Sequence, residues 1–520
     1  MDTLLNKFGE KIKGIIEGFD RIVFKGHLKP LCHAAGMQIF LKRNGVLNIN
    51  YHDWINEKSA IICKDAEAYS LKESGAKIQY FPSINIRKET VAHEQQQKNG
   101  IKSGLIGAWS CVESCNTYKS LLNKETKLLQ IRYERSKCKH LYFYYDHIDF
   151  GFMSIRLQTW APYDIQIALN GREWLRRLLD KSGCGYILDG NKFFDIEDYA
   201  LAQQLLDSQL DTRWIEKMTS FLPGVFPSMR DLIGDNFGYH WILWQSEWAK
   251  DYIFTDPDVL SGHMRQLLRH AFITGTSERV IRYFGHPVYS NGQPYSTAKP
   301  EVSTRINKWY DGARIRHWVD NNSIKIYNEQ NVLRFEFTMN NPKRYRIYRT
   351  AEGDSGGEKK LRHMRKGVSD IVPRTQVSSA RIQHFTEQMA VMEEDSSVGD
   401  ILDKVSKRLK IKGKNYRALD VTGKDLALLK AISDPKYFVD SITNKHLQAA
   451  LGDSPWANKL SGQGLSARIS RHLRLLREHG IIKKLPNQHK YMLTKKGRLL
   501  TTALNQFLGA KISDLASLAA

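Results

Sequence analysis

One short region of the chain carries the donor types of a tetrahedral metal site. Cys111 and Cys115 form a C-x3-C pair, and Cys138 and His140 follow as C-x-H. Thiolate and imidazole are the ligands that zinc takes in structural sites. The spacing is not that of a zinc knuckle, and with Trp109 and Leu141 alongside, buried free thiols are the other reading. A second constellation lies in the apolar runs 323–327 and 332–338. Alternation along a strand puts Arg334 and Glu336 on one face, and likewise Lys325 and Tyr327. A carboxylate held beside cations either binds a divalent ion or pairs with the cations. A third group, Asp146, His147 and Asp149, is read most simply as a hairpin turn.

These residues need elements to hold them. The runs 140–145 and 151–157 are rich in aromatic and β-branched residues and predict two strands of a hairpin. Residues 1–20 read as an amphipathic helix, with Leu4, Leu5, Phe8, Ile12, Ile15, Ile16 and Phe19 on a broad face. From about 171 to 283 the pattern predicts helices at 172–180, 195–206, 212–221, 240–252 and 260–272. In the fourth of these, Trp241, Trp244, Trp248 and Tyr252 fall at steps of 3, 4 and 4 and predict one aromatic stripe. Such a stripe is either the core side of a helix or a platform for stacking bases.

The C-terminal end has the clearest pattern. Helices are predicted at 424–432, 443–451 and 465–479, the last with Leu465, Ile469, Leu473 and Leu476 on one stripe. Gly480 supplies a stop, residues 481–485 and 490–494 read as two strands around a turn, and a further helix starts at Thr494. Between Gly462 and Arg498 there are ten Lys or Arg and a single acid, Glu478. Arg468, Arg471 and Arg474 lie off the apolar stripe, with Ser466 and Ser470 near the helix start. Lys483, Lys484, His489 and Lys490 surround the turn. Six cations fall in 407–417, among them Lys410, Lys412 and Lys414. That run is either a solvated face or an arm that tracks a phosphate backbone.

Three helices and a β-ribbon in this order resemble the winged helix-turn-helix domain of MarR-type regulators, a likeness carried by 466–494. It implies binding to duplex DNA. As a whole the chain resembles a set of bacterial proteins of similar length with such a MarR-like tail. In the centre, Lys325-Ile326-Tyr327-Asn328 and Leu333-Arg334-Phe335-Glu336 resemble the closing strands of rolling-circle replication initiators. Tyr310-Asp311-Gly312-Ala313-Arg314 is similar to their Tyr-x-Gly-Ser-Arg stretch, and Asp20 before Arg21-Ile22-Val23-Phe24 to their first strand. That resemblance implies strand nicking through a tyrosyl–DNA intermediate. Tyr310 would be the nucleophile, Glu336 and Asp20 would hold Mg²⁺ or Mn²⁺, and Arg314 and Lys325 would steady the phosphate. Glu329 stands where that family has lysine.

At 520 residues the chain is too long for one ordinary core. A formal charge of +23 exceeds what folding needs and points to a polyanionic partner. No apolar run approaches 18 residues, so no membrane span is expected. Charges interrupt any signal-peptide core, and six cysteines make no disulfide framework, so a cytoplasmic location is expected. The expected fold class is α+β. An N-terminal α/β part (1–165) is followed by a helical insertion (166–283) and returning strands (284–350). A basic linker with a helix (351–420) then leads to the winged helix-turn-helix (421–520). Two function classes stay open: a DNA-binding regulator or mobile-element accessory factor without catalysis, and a metal-dependent DNA-nicking enzyme. The sequence leaves open whether the chain forms a homodimer.

Overall fold

A computed structural model describes residues 3–235, 237–274, 277–286, 289–290, 293–294, 302–309, 312–351, 353–354, 356–390, 398–411, 413–433, 441–485, 489–494, 496–497, 500–501 and 504. The architecture mixes helices and strands, in keeping with an α+β class. It divides into two compact units, 1–269 with 297–386, and 270–296 with 387–520.

The first unit is built on an eleven-stranded sheet. Its strands are β1 (Ile12–His27), β2 (Gln79–Phe81), β3 (Gly104–Leu122), β4 (Leu129–His147), β5 (Gly151–Gln158), β6 (Ile165–Asn170), β9 (His240–Phe254), β12 (Val302–Trp309), β13 (Gly312–Val319), β14 (Asn322–Glu329) and β15 (Val332–Met339). A small ladder of this unit pairs β7 (Tyr186–Asp189) with β8 (Lys192–Ile196), and one of the second unit pairs β10 (Tyr289–Ser290) with β11 (Gln293–Pro294). The order across the large sheet is β12-β13-β14-β15-β9-β1-β6-β5-β4-β3-β2. Outward from the central antiparallel pair β1/β9, the flanks read β6-β5-β4-β3 and β15-β14-β13-β12. In each half a long strand leads through helices into a four-strand meander whose last strand returns to pair with the first. The two halves thus share one strand order about the central pair.

The central pair overturns two helix expectations. The N-terminal helix spans only Thr3–Phe8, and β1 starts at Ile12. Isoleucines and valine favour a pleated surface, and Gly14 and Gly18 weaken a helix. Their missing side chains matter, since a Cβ at Gly14 would lie 2.3 Å from the Tyr199 ring and one at Gly18 2.7 Å from Leu206. Helix Tyr199–Ser208 therefore packs directly on the strand, with Ala202 and Leu206 in a core shared by Ile16, Ile253 and Val332. Residues 240–252 are likewise strand β9. Trp248 packs edge-on against Phe19 at 5.0 Å and donates its indole N–H to Glu17 at 2.7 Å, whereas Trp244 is exposed. The stretch 166–283 is accordingly no purely helical insertion, because β6 and β9 belong to the sheet. The expected helices at 172–180, 195–206, 212–221 and 260–272 appear as Gly171–Ser182, Tyr199–Ser208, Trp214–Thr219 and Pro257–Thr274.

The stretch 351–420 is more structured than a linker. Arg346–Arg349 pairs with Lys360–His363, and helices Ile371–Ala390 and Val398–Val405 precede a hairpin of Leu409–Ile411 with Lys414–Tyr416. In the second unit, helices Leu426–Ile432, Asn444–Leu451 and Gly462–Glu478 precede the ribbon Ile482–Lys484/Tyr491–Leu493. Leu465, Ile469, Leu473 and Leu476 enter one core with Leu428, Leu447, Ile481 and Leu493. Ile442 makes an isolated bridge to Tyr491 of the ribbon. Among the described residues, no helix is long and apolar enough to cross a membrane.

Candidate functional site

The pairing of β9, β15 and β14 lines up polar residues on one face of the sheet. Asp251 stands opposite Arg334, Glu247 opposite Thr338, and Lys325 opposite Glu336. Beyond Lys325, Arg316 of β13 continues the row. Asp20 joins from β1 by way of a bulge, since Phe19 pairs with Trp248 and Arg21 with Glu247, leaving Asp20 as the extra residue between them. The carboxylates of Asp20, Glu247 and Glu336 thereby converge, with their ligand atoms within 4.8 Å of one another. Asp20 and Glu336 are buried and Glu247 is partly so. The strand of Asp20 does not lie beside β15; β9 runs between them and contributes Glu247.

A fully buried ion network supports this trio. Arg334 donates to Asp251 at 2.5 and 2.9 Å, to Asp20 at 3.2 Å and to the Asn191 carbonyl at 2.7 Å. Arg172 reaches Asp251 at 3.0 Å. Asn191, at the turn between β7 and β8, donates its amide to Asp20 at 2.7 Å. Glu336 accepts from Lys325, from Tyr327 at 3.4 Å and from Thr338 at 3.3 Å. Asp20, Glu247, Arg21, Asn170, Asn191 and Ser154 border a cavity of about 230 Å³ on this face.

Burial and charge set three different proton affinities. Burial pushes the Asp20 carboxyl up, against the pull of Arg334. Burial, with Glu336 close by, lifts Glu247 to about 7. Burial also acts on Glu336, but Lys325 and Arg334 outweigh it and hold this carboxyl low. Three acids this close repel one another when all are ionised. A divalent cation relieves that repulsion, and carboxylate oxygens are the donors that Mg²⁺ and Mn²⁺ take. The residues present therefore fit such an ion.

Other expected site residues fall as follows. Lys325 is committed to Glu336 rather than standing apart as a phosphate clamp. Arg314 faces Tyr327 in register on β13. Tyr310 lies outside the described residues. Glu247 and Asn191 were missed. Glu247 sat inside the expected helix 240–252, which is strand β9.

Cys115, Cys138 and His140 also converge, on β3 and β4. The two thiols are 2.8 Å apart, and His140 Nδ1 lies 3.9 Å from the Cys138 sulfur and 3.2 Å from the Cys138 carbonyl oxygen. Burial drives the His140 imidazole down to about 4, keeping it neutral. Cys111 is a correction to the four-ligand expectation. It stands opposite His140 in register, yet its thiol packs among Phe81, Ala92, Trp109 and Tyr142 and, among the described residues, joins no metal-ligating group. Asp146, His147 and Asp149 form the expected turn, with His147 Nδ1 accepting from the Asp149 amide at 3.0 Å.

In the second unit, Arg471, Arg474 and Ser470 are exposed on the helix Gly462–Glu478, as are Lys483, Lys484, His489 and Lys490 on the ribbon. Arg468 stacks on Trp456, 4.7 Å from the ring centre. Ser466 does not face outward; it is tied to Asn444 of the preceding helix at 3.2 Å, and Asn444 also donates to Ser470 at 2.8 Å. Lys410 and Lys414 are exposed on the hairpin, whose Tyr416 hydroxyl accepts from Arg474 at 3.4 Å. Arg417 is structural, held to Asp425 at 2.6 and 2.7 Å, and Lys412 lies outside the described residues. In comparisons with protein-family models, curated proteins and solved structures, the chain matches none.

Proposed function

We propose that this protein is a divalent-metal-dependent DNA-nicking factor whose C-terminal unit binds duplex DNA as a winged helix. The observation that carries the reading is the meeting of Asp20, Glu247 and Glu336, which come from three strands and from positions far apart in the chain. Asp20, Glu247 and Glu336 would hold Mg²⁺ or Mn²⁺, which neutralises developing charge on a phosphodiester in flight. Arg334 and Asn191 position Asp20, and Lys325 positions Glu336. Arg316 lies on the same face, where it can meet a phosphate oxygen. By resemblance, the Tyr310 hydroxyl is the nucleophile. The hydroxyl gives up its proton as its oxygen bonds to phosphorus and the phosphorus–sugar oxygen bond breaks, and the released sugar oxygen takes up a proton, so none is gained or lost overall.

Duplex binding rests on a different observation. Arg471 and Arg474 on one helix, Lys410 and Lys414 on the hairpin joined to it through Tyr416, and the ribbon's lysines are all exposed cations of one unit. Such cations suit a phosphate backbone, with the helix in the major groove. A purely regulatory DNA-binding protein is the second reading, favoured by this surface alone. Incubating the full chain with supercoiled plasmid and Mg²⁺ or Mn²⁺ separates the two. Nicked circles and a covalent protein–DNA adduct lost in Tyr310→Phe support the enzyme. Binding without nicks under either metal leaves the regulator.

A further inference from the structure

The cysteine–histidine cluster is remote in sequence from the carboxylate trio and serves no step above. Cys138 and His140 are two residues apart on β4 and so share a face of the sheet; Cys115 comes from the neighbouring strand β3, where it pairs with Ser136. All three are buried, and their ligand atoms lie within 4.8 Å of one another. His140 Nδ1 lies 3.2 Å from the Cys138 carbonyl oxygen and 3.9 Å from the Cys138 sulfur. Cys115 and His140 border a cavity of about 260 Å³, which is also lined by Lys25, Arg135, Arg156, Gln158 and Asp164.

We propose that Cys115, Cys138 and His140 bind a zinc ion with three protein ligands, its fourth position open to this cavity. Two thiolates and one imidazole are the soft and borderline donors that select zinc over Mg²⁺ or Ca²⁺. Zinc–sulfur bonds near 2.3 Å and zinc–nitrogen bonds near 2.0–2.1 Å in a tetrahedron place the donors roughly 3.5–3.8 Å apart. The sulfurs, at 2.8 Å, move outward by about 1 Å to reach that spacing, which side-chain rotation supplies. The charges agree as well. Two thiolates neutralise the ion, and Arg156 and Lys25 line the same cavity. Lys25 is itself held by Asp164 at 2.8 Å. A three-ligand set leaves an exchangeable position, and the cations around it suit a water, a hydroxide or a small anion. The ion would clip β3 to β4 at the far side of the sheet from β15. This proposal is independent of the nicking reading.

The test uses the full chain, purified without chelator or added metal. Metal analysis is expected to give about one zinc per chain, and thiol titration after denaturation in chelator to count all six cysteines. Replacing zinc with Co²⁺ should give the visible bands and thiolate charge-transfer absorption of a tetrahedral sulfur-bound ion, a readout that needs no variant. Cys115→Ser and Cys138→Ser should each lose zinc, while Cys111→Ser keeps it. A count of four thiols with no zinc would show a Cys115–Cys138 disulfide and overturn the proposal. Zinc retained in the Cys115→Ser/Cys138→Ser double variant, or Co²⁺ bound without charge-transfer bands, would overturn it too.

Discussion

Glu247→Gln separates the cost of a crowded carboxylate from its use. In the metal-free protein this acid, ordinarily near 4.5, is held at about 7 because it is buried beside Glu336. A raised folded-state value means that the fold prefers the protonated form. Its contribution to stability is fully present below about pH 4.5 and is lost as pH rises through about 7. At ~1.4 kcal/mol per pH unit the loss approaches ~3.5 kcal/mol, and partial exposure of Glu247 brings it to roughly 2. Glutamine keeps the shape without the charge. Metal-free Glu247→Gln should therefore match wild type at pH 5 and melt several degrees higher at pH 8. Added Mn²⁺ should stabilise wild type at pH 8, much less at pH 5, and the variant little at either. Calorimetry of both proteins at the two pH values, with and without Mn²⁺, measures all of this. A difference between variant and wild type that does not change with pH would refute the electrostatic reasoning. Equal stabilisation of both by Mn²⁺ would remove Glu247 from the ion site.

Arg334→Met should cost about 3–5 kcal/mol in chemical denaturation, because it leaves Asp251 and Asp20 buried without their shared partner. Arg471→Ala with Arg474→Ala should weaken duplex binding by ~1–3 kcal/mol if either side chain reads a base, measured by fluorescence anisotropy, whereas Ser466→Ala should leave it unchanged because Ser466 is bound to Asn444. Neutralising Lys410 and Lys414 should weaken all sequences alike and reduce the slope of log affinity against log salt by about 2, which a salt titration reads.

Some of this was legible in the sequence. The apolar steps of Leu465, Ile469, Leu473 and Leu476 fit one period only, and the helix formed where they said. The alternation of 323–327 and 332–338 likewise gave β14 and β15, while the register that sets Lys325 opposite Glu336 comes from their pairing. The central pair was not legible, because both periods fit. Trp241, Trp244, Trp248 and Tyr252 at steps of 3, 4 and 4 mimic a helical stripe. The bulges that shift register at Phe19/Arg21 and Val23/Phe24 break the long-range alternation that would have marked β1 as a strand. Glu247 was hidden by the same ambiguity, and Asn191 by its place in a turn whose partner is far away in sequence. Asp20 was found through a resemblance, and its route to the site, a bulge across an intervening strand, is a tertiary fact that no local pattern encodes. Cys111 failed for a related reason, since cross-strand register brings it near His140 while apolar packing decides where its thiol points.

The most direct measurement of the central claim is metal-directed cleavage of the protein's own backbone. Fe²⁺ with ascorbate, placed in a Mg²⁺ site, generates radicals that cut the chain within a few ångströms. The account predicts cuts near residues 20, 247 and 336 together, suppressed by excess Mg²⁺ and lost in Glu247→Gln. Cuts at one of these positions without the others, or a pattern that Mg²⁺ does not suppress, would contradict a single ion site built from Asp20, Glu247 and Glu336.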